Sequence, residues 1–312
     1  MSRPRSAAQD ETRTGLIFGT TAYLMWGVFP LYFPLLRPAS TLEVLAQRMA
    51  WSLIVVATIL RFTTGFAGVR AVLRNPRQRA LLTAAAVLVS INWGTYIYGV
   101  NTHHVVETSL GYFINPIFTI LLGVIVLGER LRPVQWLSVG IGAAAVVVIA
   151  VDYGRLPWIA LTLATSFGLY GFCKKKAGVS AVDSLTVETM VMFVPAVIAI
   201  GVIGAQGNLA FGTVSVGNSA LLASSGLVTA IPLLLFAGAT QRLPLSVLGL
   251  LQYLAPVLQF AVGVGIRHES VPLAEYVGFG LVWVALILLG IDGVRANRRD
   301  PEIVPEASLQ LG

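Results

Sequence analysis

The sequence predicts an all-α integral membrane protein, with ten transmembrane helices arranged as two inverted five-helix repeats. Three observations predict it. Ten stretches are each mostly apolar over about the 20 residues that a helix needs to cross a bilayer. The lysines and arginines gather in alternate inter-helix segments. A skeleton of prolines, glycines and acids in the first half returns 140 residues later in the second.

Composition excludes the main alternatives. Only 11% of the chain is charged and 56% is hydrophobic, with mean hydropathy +0.81. A water-facing domain carries about 25% charged residues, so a soluble fold is excluded. The apolar runs are continuous rather than alternating, which excludes a transmembrane β-barrel. The net charge of +7 sits in short clusters between apolar runs, the pattern of cytoplasmic loops rather than of a nucleic-acid surface. Cys173 is the single cysteine, so no intramolecular disulfide is expected. His103 and His104 are adjacent in one loop with no third ligand, and neither metal nor cofactor is expected. The chain has no phosphate-binding glycine loop and no serine-hydrolase elbow.

The elements follow in order. Residues 1–14 are polar and read as a cytoplasmic tail, not a cleaved leader. Five spans at 15–36, 42–62, 79–100, 105–127 and 134–152 make up the first repeat, residues 15–152. Five more at 156–173, 185–204, 217–240, 245–266 and 272–294 make up the second, residues 153–294. The sixth span is the shortest. Residues 295–312 read as a second cytoplasmic tail.

The repeat rests on pairs at one offset. Ser40 matches Ser180, Glu43 matches Asp183, Leu45 matches Leu185, Pro116 matches Pro256, Gly123 matches Gly263 and Glu129 matches Glu269. Five helices is an odd number, so the second repeat enters the bilayer from the opposite side. Such inverted halves are a recurring plan of secondary transporters, with the substrate site between them near the midplane. With the N-terminus inside, 17 basic residues fall on the cytoplasmic side. Three fall outside, Arg37, Arg155 and Arg267, and Arg48 lies within a span. Both termini are therefore expected in the cytoplasm.

Charges inside a bilayer are rare, and are functional or paired. Arg48 lies about 9 Å into the second span at 1.5 Å per residue. Glu107 lies at a similar depth in the fourth, so the two can close the outer side as a gate, or simply clamp two helices. Glu188 in the seventh span is the inverted counterpart of Arg48, readable as a proton carrier or as a capping group. Polar and aromatic groups cluster near mid-span: Trp26, Asn92, Trp93, Tyr96, Tyr112, Asn115, Gln252 and Tyr253. A buried amide needs a partner, which is either another helix or a wet cavity. Taken together these residues suggest a cavity. Gly15 and Gly19 form a small-residue face that suits helix packing or a homodimer.

Several stretches resemble the RarD family: AYLMWGVFPLYF, EVLAQRMAWS, SLGYFINP with LLGVIVLGERL, PWIALTLATSFGLYG and LGLLQYLAPVLQF. That family belongs to the EamA-type transporters of the drug/metabolite transporter (DMT) superfamily. The resemblance covers about Gly15 to Val294. It implies ten helices in two inverted EamA-like repeats, and export of small metabolites, amino acids or drugs, with a chloramphenicol-sensitivity label. The sequence departs from the family pattern after the ninth span, where Arg267 and His268 precede Glu269 in place of a helix-stopping glycine. The expectation is a non-enzymatic exporter in the bacterial inner membrane, using alternating access around a midplane cavity. Its partners are a small-molecule substrate and the lipid bilayer, and proton coupling through Glu107 or Glu188 is left open. The alternatives are a membrane enzyme on lipid-linked substrates, or a non-transporting sensor or scaffold.

Overall fold

A computed structural model of the chain describes residues 5–101, 105–153 and 157–266, and, within the last span, 276–277, 280–281, 283–285 and 287–288. Its described elements are helical: α1 (Arg5–Gly27), α2 (Phe29–Tyr32), a 3-10 turn (Phe33–Leu36), α3 (Thr41–Phe62), α4 (Ala67–Arg74), α5 (Pro76–Asn101), α6 (Val105–Leu127), α7 (Pro133–Tyr153), α8 (Trp158–Ala177), α9 (Ala181–Ala205), α10 (Val216–Arg242), α11 (Leu245–Leu251) and α12 (Leu254–Gly265). Four segments are long and apolar enough to cross a membrane: Asp10–Leu36, Thr41–Phe62, Ala181–Ala205 and Val216–Arg242. Two shorter apolar segments join them, Gly111–Leu127 and Leu245–Gln259. The 22 residues of α3 reach roughly 33 Å, about the thickness of a hydrocarbon core.

Local chemistry explains the boundaries. Ser40 and Ser180 cap α3 and α9, their hydroxyls accepting from the N–H of Glu43 at 3.2 Å and of Asp183 at 3.1 Å. The first span is not one helix. Pro30 and Pro34 lack backbone donors, and the chain steps through α2 and the 3-10 turn after Gly27. The ninth span is also broken, at Gln252 and Tyr253, just before Pro256 removes the next helical donor. The sixth span runs past its expected end at 173 to Ala177, where Gly178 takes a left-handed φ of +60° and stops it. Lys174, which the sequence places in a cytoplasmic loop, is therefore inside a helix.

Helix α4 is a short amphipathic segment absent from the expected spans, burying Val69 and Val72 while Arg70 and Arg74 stay exposed. Small residues set the closest approaches between spans. Gly226 on α10 faces the Trp51 backbone of α3, and Gly249 on α11 faces the Pro116 carbonyl of α6. Gly15 and Gly19 are also used inside the chain, against Arg242, Leu243 and Leu251. That packing removes them as a free dimer face. His103, His104 and Glu269 lie outside the described residues.

Candidate functional site

A cavity of about 520 Å³ opens between α1, α3, α5, α6 and α8 and the region around Gln252. Its mouth is lined by Pro34, Arg37, Ala39 and Thr41, at the junction from the first span into α3. Its floor is aromatic. Trp26 meets Tyr23 edge-on at 5.3 Å and Phe167 at 5.8 Å, and Phe236 lies beneath, stacked on Tyr170 at 5.8 Å. Such offset and edge arrangements suit the ring quadrupoles and fill the space with rigid apolar area.

The structure gathers most of the polar groups singled out in the sequence. Trp26, Asn92, Trp93, Tyr96, Tyr112 and Asn115 line the cavity from the first half, and Gln252 lines it from the second. Asn92 is also anchored, its Nδ2 donating to the Leu163 carbonyl at 2.8 Å and to Ser166 Oγ at 3.1 Å. Asn115 and Gln252 are joined across the halves through Thr119, whose hydroxyl lies 3.3 Å from Asn115 Oδ1 and 3.2 Å from Gln252 Nε2. These contacts place the amides in a low-dielectric setting and occupy part of their hydrogen-bonding capacity. Tyr253 is the exception. It lies outside the lining, 1% exposed, with its hydroxyl turned to Gly142 of α7, because the break between α11 and α12 rotates it away from its neighbour Gln252.

The charged candidates separate. Arg48 is in the cavity wall. Its Nε donates to Thr229 Oγ1 at 2.8 Å, and its guanidinium carbon sits 4.8 Å from the Trp93 ring centre, 5.2 Å from Phe33 and 5.8 Å from Phe29. The Glu107 side chain lies outside the described residues. Glu188 is fully buried away from the cavity, accepting from Lys174 Nζ at 2.5 Å and from the Tyr170 hydroxyl at 3.1 Å. Lys174 also donates to Ser184 Oγ at 3.1 Å. A buried pair with its remaining groups hydrogen-bonded is the arrangement a low-dielectric interior tolerates.

Sequence reasoning missed several residues that shape the site. Phe29 and Phe33 belong to the Arg48 box, and the prolines at 30 and 34 were the available signal that this segment leaves regular helix. Two carboxylates, Glu43 buried and Glu129 half-buried, tie the halves together. Glu43 accepts from the N–H of Ala210 at 3.0 Å and of Phe211 at 2.8 Å, and Glu129 accepts from Leu245 and Ser246, each at 2.9 Å. Among the described residues, no group of three or more His, Cys, Asp or Glu converges on a point that could hold a metal.

Comparisons with known proteins agree with this architecture. Residues 13–151 match the EamA-like transporter family. Protein RarD of Streptomyces exfoliatus is 52% identical over 292 residues, covering 94% of this chain and 93% of that one. Chloramphenicol-sensitive protein RarD of Pseudomonas aeruginosa is 27% identical over 289 residues, covering 91% and 96%. A solved structure titled only as the crystal structure of a protein superposes with a TM-score of 0.68 at 16% identity, over 89% of this chain and 97% of that one, a likeness of fold. With half its residues shared along nearly its whole length, the chain belongs to the RarD family of EamA-type membrane transporters, in the drug/metabolite transporter superfamily.

Proposed function

We propose that this chain is a secondary transporter that exports small molecules across the bacterial inner membrane by alternating access. The observation that carries the reading is the cavity of about 520 Å³, walled by spans of both halves. A volume of this order holds one small molecule, and rigid aromatics with a few placed polar groups are what such sites are made of. Trp26, Asn92, Trp93, Tyr96, Tyr112, Asn115 and Gln252 form the substrate surface. Arg48 and Glu107 act at the outer side. Metabolites, amino acids and drugs are the substrate classes, chloramphenicol among them by the name of the Pseudomonas relative.

The ten-helix plan, with repeats at 15–152 and 153–294 between cytoplasmic tails, is part of the proposal. Several contacts support it. Exchanging each span for its partner 140 residues away turns the α5–α8 packing into α10–α1, and the α3–α10 packing into α9–α5, all of which occur. The α3–α9 and α6–α11 contacts map onto themselves. Glu43 holds the turn before α10, and its counterpart Asp183 rests its carboxylate against Gly68, at the start of α4 in the matching connection of the first half. With the termini inside, the mouth near Arg37 faces outward, and the opposite end is closed by Lys175 Nζ on the Leu243 carbonyl at 2.5 Å and Gln241 Nε2 on the Lys174 carbonyl at 2.9 Å. An outward-open state is thus one of the two that alternating access needs.

The test is flux of amino acid mixtures and of chloramphenicol in proteoliposomes, with and without a pH gradient. Asn115→Ala and Gln252→Ala are expected to lower flux about tenfold or more while the protein still folds. Unchanged flux in both variants would remove them from the site. Gradient-dependent flux that Glu107→Gln or Glu188→Gln abolishes identifies the proton carrier, and flux indifferent to the gradient rejects coupling.

A further inference from the structure

We propose that the cavity selects an organic anion: a small molecule with one carboxylate, or a similar acidic group, on an aromatic or apolar body. The inference rests on the reading of this cavity as the transport site. What carries it is positive charge without a facing carboxylate. Arg48 and Arg37 line the cavity, and among the described residues no aspartate or glutamate does.

Among the described residues, the neighbours of Arg48 position it but do not neutralise it. Its described hydrogen bond goes from Nε to the neutral Thr229 hydroxyl, at 2.8 Å. The three rings around its guanidinium, Trp93 nearest at 4.8 Å, offset part of the cost of desolvating a cation and leave its unit charge in place. A guanidinium has five N–H donors in a rigid fork whose spacing matches a carboxylate. The Thr229 bond uses one of them. Threonine behind and aromatic faces around hold that fork at a set angle in the cavity wall, as bidentate capture of an anion requires. A charge within the membrane region is costly unless it is paired or serves a ligand or a path, and here it borders the cavity of about 520 Å³.

The remaining lining sorts by chemistry in the same way. Arg37, exposed at the mouth, adds charge of the same sign and draws anions toward the opening. Trp26 and Phe167 on the floor offer flat apolar area to the body of the molecule. Asn115 and Gln252 supply amides for its neutral polar groups. Glu107 on α6, one turn before Gly111, is the residue that could supply Arg48's counter-charge in place of substrate, and the test separates the two.

The test uses the purified full chain near neutral pH and three probes with one body and different charge: phenylacetate, phenylacetamide and phenethylammonium. Binding is read by quenching of tryptophan fluorescence, which Trp26 and Trp93 report from the cavity, and by the midpoint of thermal unfolding. Phenylacetate is expected to bind about tenfold tighter than the amide, and the cation weakest. Arg48→Gln is expected to erase that preference, and Arg48→Lys to keep part of it. The comparison on the unmodified chain decides the matter even if a variant fails to fold. Equal binding of all three probes overturns the anion inference and leaves the cavity reading standing. Binding of none overturns both. A preference for the acid that appears only in Glu107→Gln assigns the counter-charge to Glu107 and overturns the inference as well.

Discussion

Arg48 and Lys174 are both cations inside the helical bundle, and their surroundings give them opposite parts. Arg48 borders a cavity with a hydroxyl and three rings. Lys174 is 1% exposed, paired with Glu188 and hydrogen-bonded to Ser184. Breaking a buried pair by removing one partner leaves an uncompensated charge and costs about 3–5 kcal/mol, whereas replacing both by apolar groups is often neutral. Lys174→Ala or Glu188→Ala alone is therefore expected to lower the unfolding midpoint sharply, and Lys174→Met with Glu188→Leu to recover most of it. A double variant as unstable as the singles would show that the pair does not act as a unit. Polar residues at mid-span were legible as cavity candidates because hydrocarbon gives an amide or a charge so few places to go. Partners were not legible. That Asn115 reaches Gln252 through Thr119, or that Lys174 finds Glu188, depends on how helices far apart in sequence are rotated. Tyr253 was misplaced for the same reason, since a helix break decides which of two neighbours faces the hollow.

At the scale of elements, apolar run length marks the four segments that are long and apolar enough to cross a membrane, because the bilayer sets that length. The breaks within spans were harder to foresee. Pro116 lies inside a continuous α6, while Pro256 follows a break, so a proline alone does not say whether neighbours will hold the helix together. Helix α4 was hidden by its eight residues and its arginines. Where helices touch, glycine sets the distance. A Cβ on Gly249 would lie 2.8 Å from the Pro116 carbonyl oxygen. Gly249→Val is expected to cost about 1–3 kcal/mol through overpacking and to lower the yield of monodisperse protein, as size-exclusion chromatography reads. Glu129 makes a different kind of junction, joining the end of α6 to the start of α11 through two backbone N–H groups. Glu129→Gln keeps the shape but loses charge-assisted bonds, each about twice as strong as neutral ones. Faster hydrogen exchange in the 245–251 segment is the expected outcome, and unchanged exchange would deny the clamp its role.

For the whole molecule, the proposed inverted repeat gives these pieces a common logic. Carboxylates at both ends of the bundle hold one half to turns of the other. The cavity lies between them, closed on the side of Lys175 and Leu243 and open on the side of Arg37. In the proposed repeat, the serine caps Ser40 and Ser180, paired at one offset, are the trace expected in sequence, because capping is local chemistry that survives while packed surfaces diverge. The central claim is that this hollow is reached from each side of the membrane in turn. The most direct measurement is the access of a membrane-impermeant thiol reagent to Asn115→Cys in a Cys173→Ala background, in right-side-out and inside-out vesicles. The account predicts labelling from both faces, with reaction from the inner face lost when the inner end is cross-linked shut. Labelling from only one face under all conditions would contradict it.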